Sequence, residues 1–423
     1  MGYINESVIY NIYPLGFCGA PKENDFKQEY RLDKIYGWID HMKSMSVNAL
    51  VFNPVFESSK HGYDTIDYKK IDCRLGDNES FKKICKTLHD NGIRIMLDGV
   101  FNHTGADSRY FNREGTYDTI GAYQSKNSPY YEWYYFKHYP DEYACWWGST
   151  VVPTVNKSAK GFCDLILGDG GVIDKWTKLG VKGWRLDVVD ELPIDFTTKL
   201  CRRIKQEGED VLIVGEVWED ASTKIAYSQW RPYFMGEQLD SVMNYPFKEA
   251  VLAYTISGNK DEFVSTVTHI LENYPKESLD VLMNLIDSHD TSRALTTLSG
   301  VKMPRKKADR AAFCLDDTQY ALAKKRLKLA STLQYVLPGV PCVFYGDEAG
   351  VQGYEDPLNR VTYPWGREDE ELLSHYRALG AFREKYADYL TGETHFVNDN
   401  DALIIERECG KGKMRLVCNN LTA

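Results

Sequence analysis

The chain has 423 residues, 43% of them hydrophobic, and a formal net charge of −10. That length accommodates a large core, and an α/β barrel of roughly 250 residues or more fits within it as one unit. The negative balance argues against nucleic acid or an anionic membrane as partner, and no apolar run approaches the roughly 18 residues of a membrane span.

Val8 to Tyr13 reads as a first buried strand. A helical segment near Tyr36 to Met45 leads into a second strand, Val47 to Asn53, stopped by Pro54. His61-Gly-Tyr63-Asp follows, then an amphipathic helix from about Ser80 to Asn91 ended by Gly92. Further strands are predicted at Ile93 to Asp98, Gly183 to Asp187, Val211 to Glu216, Leu239 to Met243, Val281 to Ile286 and Pro341 to Tyr345. Eight strands alternating with helical patterns predict an α/β fold, a (β/α)8 TIM barrel built from residues 1–103 and 161–384. Between these parts, residues 104–160 are irregular and dense in Tyr and Trp, too long for an ordinary loop, and are read as an excursion domain after the third strand. From residue 385 onward, short alternating strands (His395 to Val397, Ala402 to Arg407, Met414 to Asn419) read as a short C-terminal β domain, cut off before completion. The basic stretch Lys302 to Arg310 reads as a solvated loop.

Ten scattered Cys without a CxxC spacing read as free thiols of a reducing compartment. Residues 1–6 lack the basic-then-apolar pattern of an export signal, so a cytoplasmic location is expected. The 29 Tyr and 9 Trp tilt the reading toward sugars, whose apolar C–H faces stack on aromatic planes.

Chemistry concentrates in Gly183-Trp-Arg185-Leu-Asp187-Val-Val-Asp190-Glu191. On a strand, Arg185 and Asp187 point to the same face. A guanidinium beside a carboxylate holds it ionised and aims it, as a glycoside-cleaving nucleophile requires. Alone, the pair would read as a structural ion pair. However, polar residues recur at the ends of other predicted strands: Asp98 with Asn102 and His103, Glu216 with Trp218, and His289 with Asp290. In a parallel barrel these ends converge on one mouth, and so many acids are costly to bury without purpose.

These segments resemble, in order and spacing across about residues 8–382, the motifs of the α-amylase family, glycoside hydrolase family 13. Cys145-Trp146-Trp147-Gly148, Gly215-Glu216-Val-Trp218 and Ser288-His289-Asp290-Thr-Ser-Arg293 are similar to the cyclomaltodextrinase, neopullulanase and maltogenic amylase branch. The resemblance implies a retaining α-glucan hydrolase acting on α-1,4 bonds of maltooligosaccharides, cyclodextrins or starch-derived glucans, with α-1,6 bonds left open. It implies that Asp187 is the nucleophile, Glu216 the acid and then base, and Asp290 the stabiliser of the cationic transition state. His103, Arg185 and His289 would bound the ring at the cleavage point, with Tyr63 stacked beneath it. Asp356 and Arg360 would grip the donor sugar further out. Trp146 and Trp147 are candidate stacking residues, and Trp218 reads more readily as core. Arg185 is expected to depress the pKa of Asp187, while neighbouring charges raise that of Glu216. The chemistry requires no cofactor. Asn102 stands where calcium-dependent members hold a structural calcium, but Glu191 replaces their His and no full ligand set is readable, so the metal assignment stays open. The expected partner is an α-glucan oligosaccharide, with oligomeric state open. An α-glucan transferase on the same scaffold is the alternative; a non-catalytic barrel is more remote, since the three acids are present.

Overall fold

The computed structural model describes residues 7–208 and 210–419; the reading of residues 1–6 as lacking an export signal lies outside them. Eight short strands form its centre: β1 (Ile9–Ile12), β2 (Ala49–Phe52), β3 (Arg94–Gly99), β4 (Gly183–Leu186), β5 (Leu212–Gly215), β6 (Ser241–Val242), β7 (Met283–Asn284) and β8 (Val340–Phe344). They pair in the order β6-β5-β4-β3-β2-β1-β8-β7, every pair parallel. A parallel bridge between Met243 and Met283 joins the two ends and closes a TIM barrel.

Side-chain alternation sorts the strands into two buried sets. Ile9, Val51, Met96, Leu212, Val214 and Met283 point inward and share one cluster. Tyr10, Leu50, Phe52, Ile95, Leu97 and Ile213 point outward, into the larger core beneath the helices. On β4 the outward positions are Trp184 and Leu186, both fully buried, so Gly183 and Arg185 face the barrel interior. A Cβ on Gly183 would lie 2.4 Å from Met96 Cγ, so only glycine leaves room for the methionine at that level.

The outer helices follow from their periodicity. Asn78–Asp90 buries Phe81, Ile84, Cys85 and Leu88, one stripe at i, i+3, i+4 and i+7, and is N-capped by Asp77 through a reciprocal box with Ser80. The helical segment predicted near 36–45 is the α-helix Ile39–Ser44, preceded by a 3₁₀ segment, Arg31–Trp38. Part of the basic stretch at 302–310 is also helical: Lys307–Ala311 forms a short helix, and Arg310 pairs with Glu355.

Between β3 and the helix Lys160–Leu167 the chain makes short 3₁₀ turns, one small antiparallel hairpin, Phe136–His138 with Glu142–Tyr143, and isolated antiparallel bridges such as His103 with Thr154. At the far end, β9 (Glu393–Val397), β10 (Ala402–Cys409) and β11 (Gly412–Asn419) form an antiparallel sheet. The buried Arg407 of β10 anchors this sheet to the barrel, donating to Val336 O at 3.0 Å. No helix among the described residues is long and apolar enough to cross a membrane.

Candidate active site

At the C-terminal mouth of the barrel lies a cavity of about 770 Å³. Asp187, Glu216, Asp290, Tyr63, His103, Trp146, Trp147, Asp356 and Arg360 all line it. Arg185 and His289 are buried at its base, each 1% exposed.

The site is organised around the Arg185 guanidinium. Register places Arg185 of β4 directly beside Asp98 of β3. Arg185 Nη1 donates to Asp98 Oδ1 and Oδ2 at 2.7 and 2.8 Å, and to Asp187 Oδ1 at 2.8 Å. Its Nη2 lies 2.9 Å from Glu216 Oε2, so one cation is shared among three carboxyl groups. Asp187 and Glu216 occupy the first position after β4 and β5, which is how adjacent strands bring two carboxyls onto the same guanidinium.

The electrostatics reverse the expectation drawn from sequence for Asp187. Burial, reinforced by the charges of Glu216, Asp98 and Asp290, pushes the Asp187 carboxyl well above the usual carboxylate range despite Arg185. The cause is number: a guanidinium divided among several acids cannot offset the desolvation of any one of them. The donors expected at Asp187 collect on Glu216 instead, where Val188 N–H donates to Oε2 at 2.7 Å and Trp218 Nε1 to Oε1 at 3.0 Å. Burial, with Glu216 next, likewise raises Asp290 to about 7. With Asp187 and Asp290 both raised, the cluster retains a proton near neutrality.

The loops fix the remaining groups. Tyr63 lies parallel to the His289 ring at 5.3 Å, hydrogen-bonds His289 Nε2, and donates to Asp98 Oδ2 at 2.9 Å. Burial drives the His289 pKa well below its ordinary value and that of His103 down to about 3, so both rings are neutral. Nε2 of His289 lies 3.0 Å from Asp290 Oδ2. His103 stacks on Trp146 at 5.6 Å. Arg360 pairs with Asp356 at 3.0 Å, with Asp290 at 3.3 Å, and donates to His289 O at 2.9 Å, which ties the outer pair to the inner acid.

Trp218 is not core. It is 46% exposed, lines the cavity, and stacks on Tyr245 at 4.1 Å while holding Glu216. Val188, between Asp187 and the next turn, has φ 38° and ψ 53°, a left-handed conformation that is strained for a β-branched residue. That bend turns its N–H onto Glu216. Asp98, Val188 and Trp218 all escaped the sequence reading as site residues; Asp98 left a signal as an acid at a strand end and Trp218 as the aromatic of the Glu216 motif, whereas Val188 left none.

A calcium ion does not fit at Asn102. The Asn102 Oδ1 oxygen accepts from the buried Lys157 ammonium at 2.5 Å, so a fixed positive charge already stands against it. Burial lowers the Lys157 pKa to about 8. Among the described residues, no group of three or more His, Cys, Asp or Glu side chains is arranged to hold a metal ion.

Comparison with known proteins settles the lineage. The sequence pattern of the family described as "Alpha amylase, catalytic domain" matches residues 12–159 and 166–408. The chain belongs to the α-amylase family. It is 36% identical over 415 residues to an amylopullulanase of Thermoanaerobacter thermohydrosulfuricus, covering 89% of this chain and 27% of that one. It is 29% identical over 449 residues to a cyclomaltodextrinase of a Bacillus species, covering 99% and 73%. Among solved structures, the cyclic α-maltosyl-(1→6)-maltose hydrolase of Arthrobacter globiformis superposes with a TM-score of 0.83 at 25% identity, covering 99% and 92%. The chain spans only 21 to 31% of the length of the amylopullulanases it matches.

Proposed function

We propose that this chain is a retaining α-glucan hydrolase that cleaves α-1,4 bonds, and α-1,6 bonds where they fit, of maltooligosaccharides and cyclic maltodextrins. The observation that carries the reading is the seating of Asp187 and Glu216 on one buried guanidinium at the cavity floor, with Asp290 facing the same space. Seating on neighbouring nitrogens of one guanidinium favours the closer carboxyl spacing of a retaining pair, about 5 Å, over the wider spacing an inverting pair needs to hold a water. The names of the relatives, amylopullulanase, cyclomaltodextrinase, maltogenic amylase and neopullulanase, support the substrate class.

In this mechanism, sugar hydroxyls replace water in the cavity and donate to Asp187 and Asp290, which favours their charged forms. Glu216, the carboxyl next to the departing oxygen, serves as the proton donor. Asp187 attacks the anomeric carbon, the glycosidic C–O bond breaks, and Glu216 gives its proton to the departing oxygen. A β-glycosyl ester on Asp187 results. Glu216 next takes a proton from water, the hydroxyl attacks the same carbon, and Asp187 leaves as a carboxylate. Asp290, held by Arg360 and His289, stabilises positive charge on the ring in both transition states. Neutral His103 and His289 supply hydrogen bonds to the sugar without adding a cation that would oppose the oxocarbenium. Tyr63, Trp146 and Trp147 provide apolar faces, and Asp356 with Arg360 holds the next donor ring. Residues 104–160 form, in this reading, a separate lobe that walls the cleft. The ten free cysteines are consistent with a reducing, cytoplasmic setting.

Product analysis on maltoheptaose, pullulan and β-cyclodextrin, with Glu216→Gln as control, tests the proposal. Glucose or short maltooligosaccharides that vanish in the control support it and reveal the bond preference. Products longer than maltoheptaose would assign a transferase, and no product from any of the three would refute an α-glucan hydrolase.

A further inference from the structure

The loop after β5 carries a feature that the cavity itself does not explain. Ile225–Ala226 and Gln229–Trp230 pair antiparallel around a two-residue turn, Tyr227-Ser228. Both turn residues are left-handed, with φ of 54° and 60°. Such a turn favours Asn-Gly, because side-chain-bearing residues are strained there. A tyrosine at the tip costs stability and leaves its side chain 69% exposed, with no apolar burial in return. Its hydroxyl is nonetheless fixed, donating to Glu191 Oε2, and Glu191 lines the cavity.

The whole hairpin is braced against the turn that follows the Asp187 strand. Arg231, 3% exposed, donates to Leu192 O at 2.8 Å and to Asp190 O at 2.7 Å. Tyr233 donates to Asp190 Oδ1 at 2.5 Å, and Lys224 pairs with Asp190 at 3.0 Å. Trp230 Nε1 donates to Ser222 O at 3.2 Å, which secures the base of the hairpin. The strained tip is therefore rigidly placed at the rim. In the reading above, Glu216 protonates the departing oxygen. The wall that continues from it, Trp218, Glu219 and Lys224 on one loop and Glu191 on the other, borders the departing side of the substrate.

We propose that Tyr227 is a stacking platform for a glucose ring on the departing side, beyond Trp218, and sets the preference for long over short α-glucan chains. An exposed aromatic plane with its polar end tethered suits a sugar ring, which offers an apolar face and hydroxyl edges. The proposal rests on the hydrolase reading of the cavity. It is tested by measuring kcat/KM on maltotriose and maltoheptaose for the unmodified chain, Tyr227→Phe and Tyr227→Ala. The maltoheptaose-to-maltotriose ratio should fall on the order of tenfold in Tyr227→Ala, through KM, and largely persist in Tyr227→Phe, which keeps the ring. An unchanged ratio in Tyr227→Ala overturns the platform. Equal losses in both variants also overturn it, since they would assign the effect to the hydroxyl tether. Maltotriose cleavage that Glu216→Gln abolishes establishes the hydrolase reading separately, so a failed platform leaves it standing. An unmodified chain that turns over neither sugar overturns both.

Discussion

Replacing Arg185 with lysine isolates what the shared guanidinium does. The substitution keeps the charge but exchanges a planar fork for a single ammonium on a different stem. In the structure the fork reaches Asp98 through two oxygens at 2.7 and 2.8 Å, Asp187 at 2.8 Å and Glu216 at 2.9 Å, all with the arginine 1% exposed. A single ammonium cannot stand at both nitrogen positions, the one facing Asp98 and Asp187 and the one facing Glu216, so at least one buried carboxyl loses its partner. Removing a partner from a buried ion pair costs roughly 3–5 kcal/mol. Over a chain of this length that corresponds to a fall of about 4 °C in Tm, because the unfolding entropy scales with size. Activity should fall further than stability, since misplacing a preorganised charge costs roughly 100- to 1000-fold in kcat. Thermal melts by circular dichroism and initial rates on maltoheptaose, run well below the variant's Tm, separate the two effects. A lysine variant that melts with the parent and keeps kcat within a few-fold would refute the claim that bidentate sharing, rather than charge alone, builds the site.

Three other outcomes follow from the same geometry. Because burial raises Asp187 and brings Asp290 to about 7, their charged forms are lost as pH falls from neutrality; the acid limb of kcat/KM should lie near neutral pH, and a profile flat down to about pH 4.5 would contradict the shifts. Asp290→Asn should abolish turnover yet raise Tm. The raised folded pKa means that ionising Asp290 penalises the native state, so this gain should be larger at about pH 8 than at about pH 5; a pH-independent or negative Tm change would count against it. With the Lys157 ammonium against Asn102, exhaustive chelation should leave Tm and activity unchanged, whereas Lys157→Met should lower Tm; a chelation-sensitive melt would overturn the assignment of Lys157 as the resident cation.

The barrel was legible because each strand is a short apolar run ended by polar residues, a pattern that needs no tertiary information to see. The predicted strands at Leu239–Met243 and Val281–Ile286 shrink to two residues each, Ser241–Val242 and Met283–Asn284, because the two edges meet through a single bridge rather than a full ladder. Within the site, Arg185 and Asp187 could be placed on one face from their spacing alone. The pKa of Asp187 could not: spacing reveals its partner but not that Asp98 and Glu216 compete for the same guanidinium. Trp218 sounded like core because an aromatic beside an acid has the same sequence signature whether it packs inward or lines a cavity. Lys157 lies 55 positions from Asn102, and only the folded chain brings an ammonium to the place where a cation ligand was sought.

The central claim, that Asp187 attacks the sugar while Glu216 handles the proton, is tested most directly by trapping. A 5-fluoro-α-glycosyl fluoride reacts through the first step and stalls at the second. Incubation with the enzyme followed by peptide mass mapping should find the glycosyl adduct on the peptide carrying Asp187, with none when Asp187 is replaced by asparagine. An adduct on Glu216 or Asp290, or β-configured sugar as the first product released from maltoheptaose, would contradict the account.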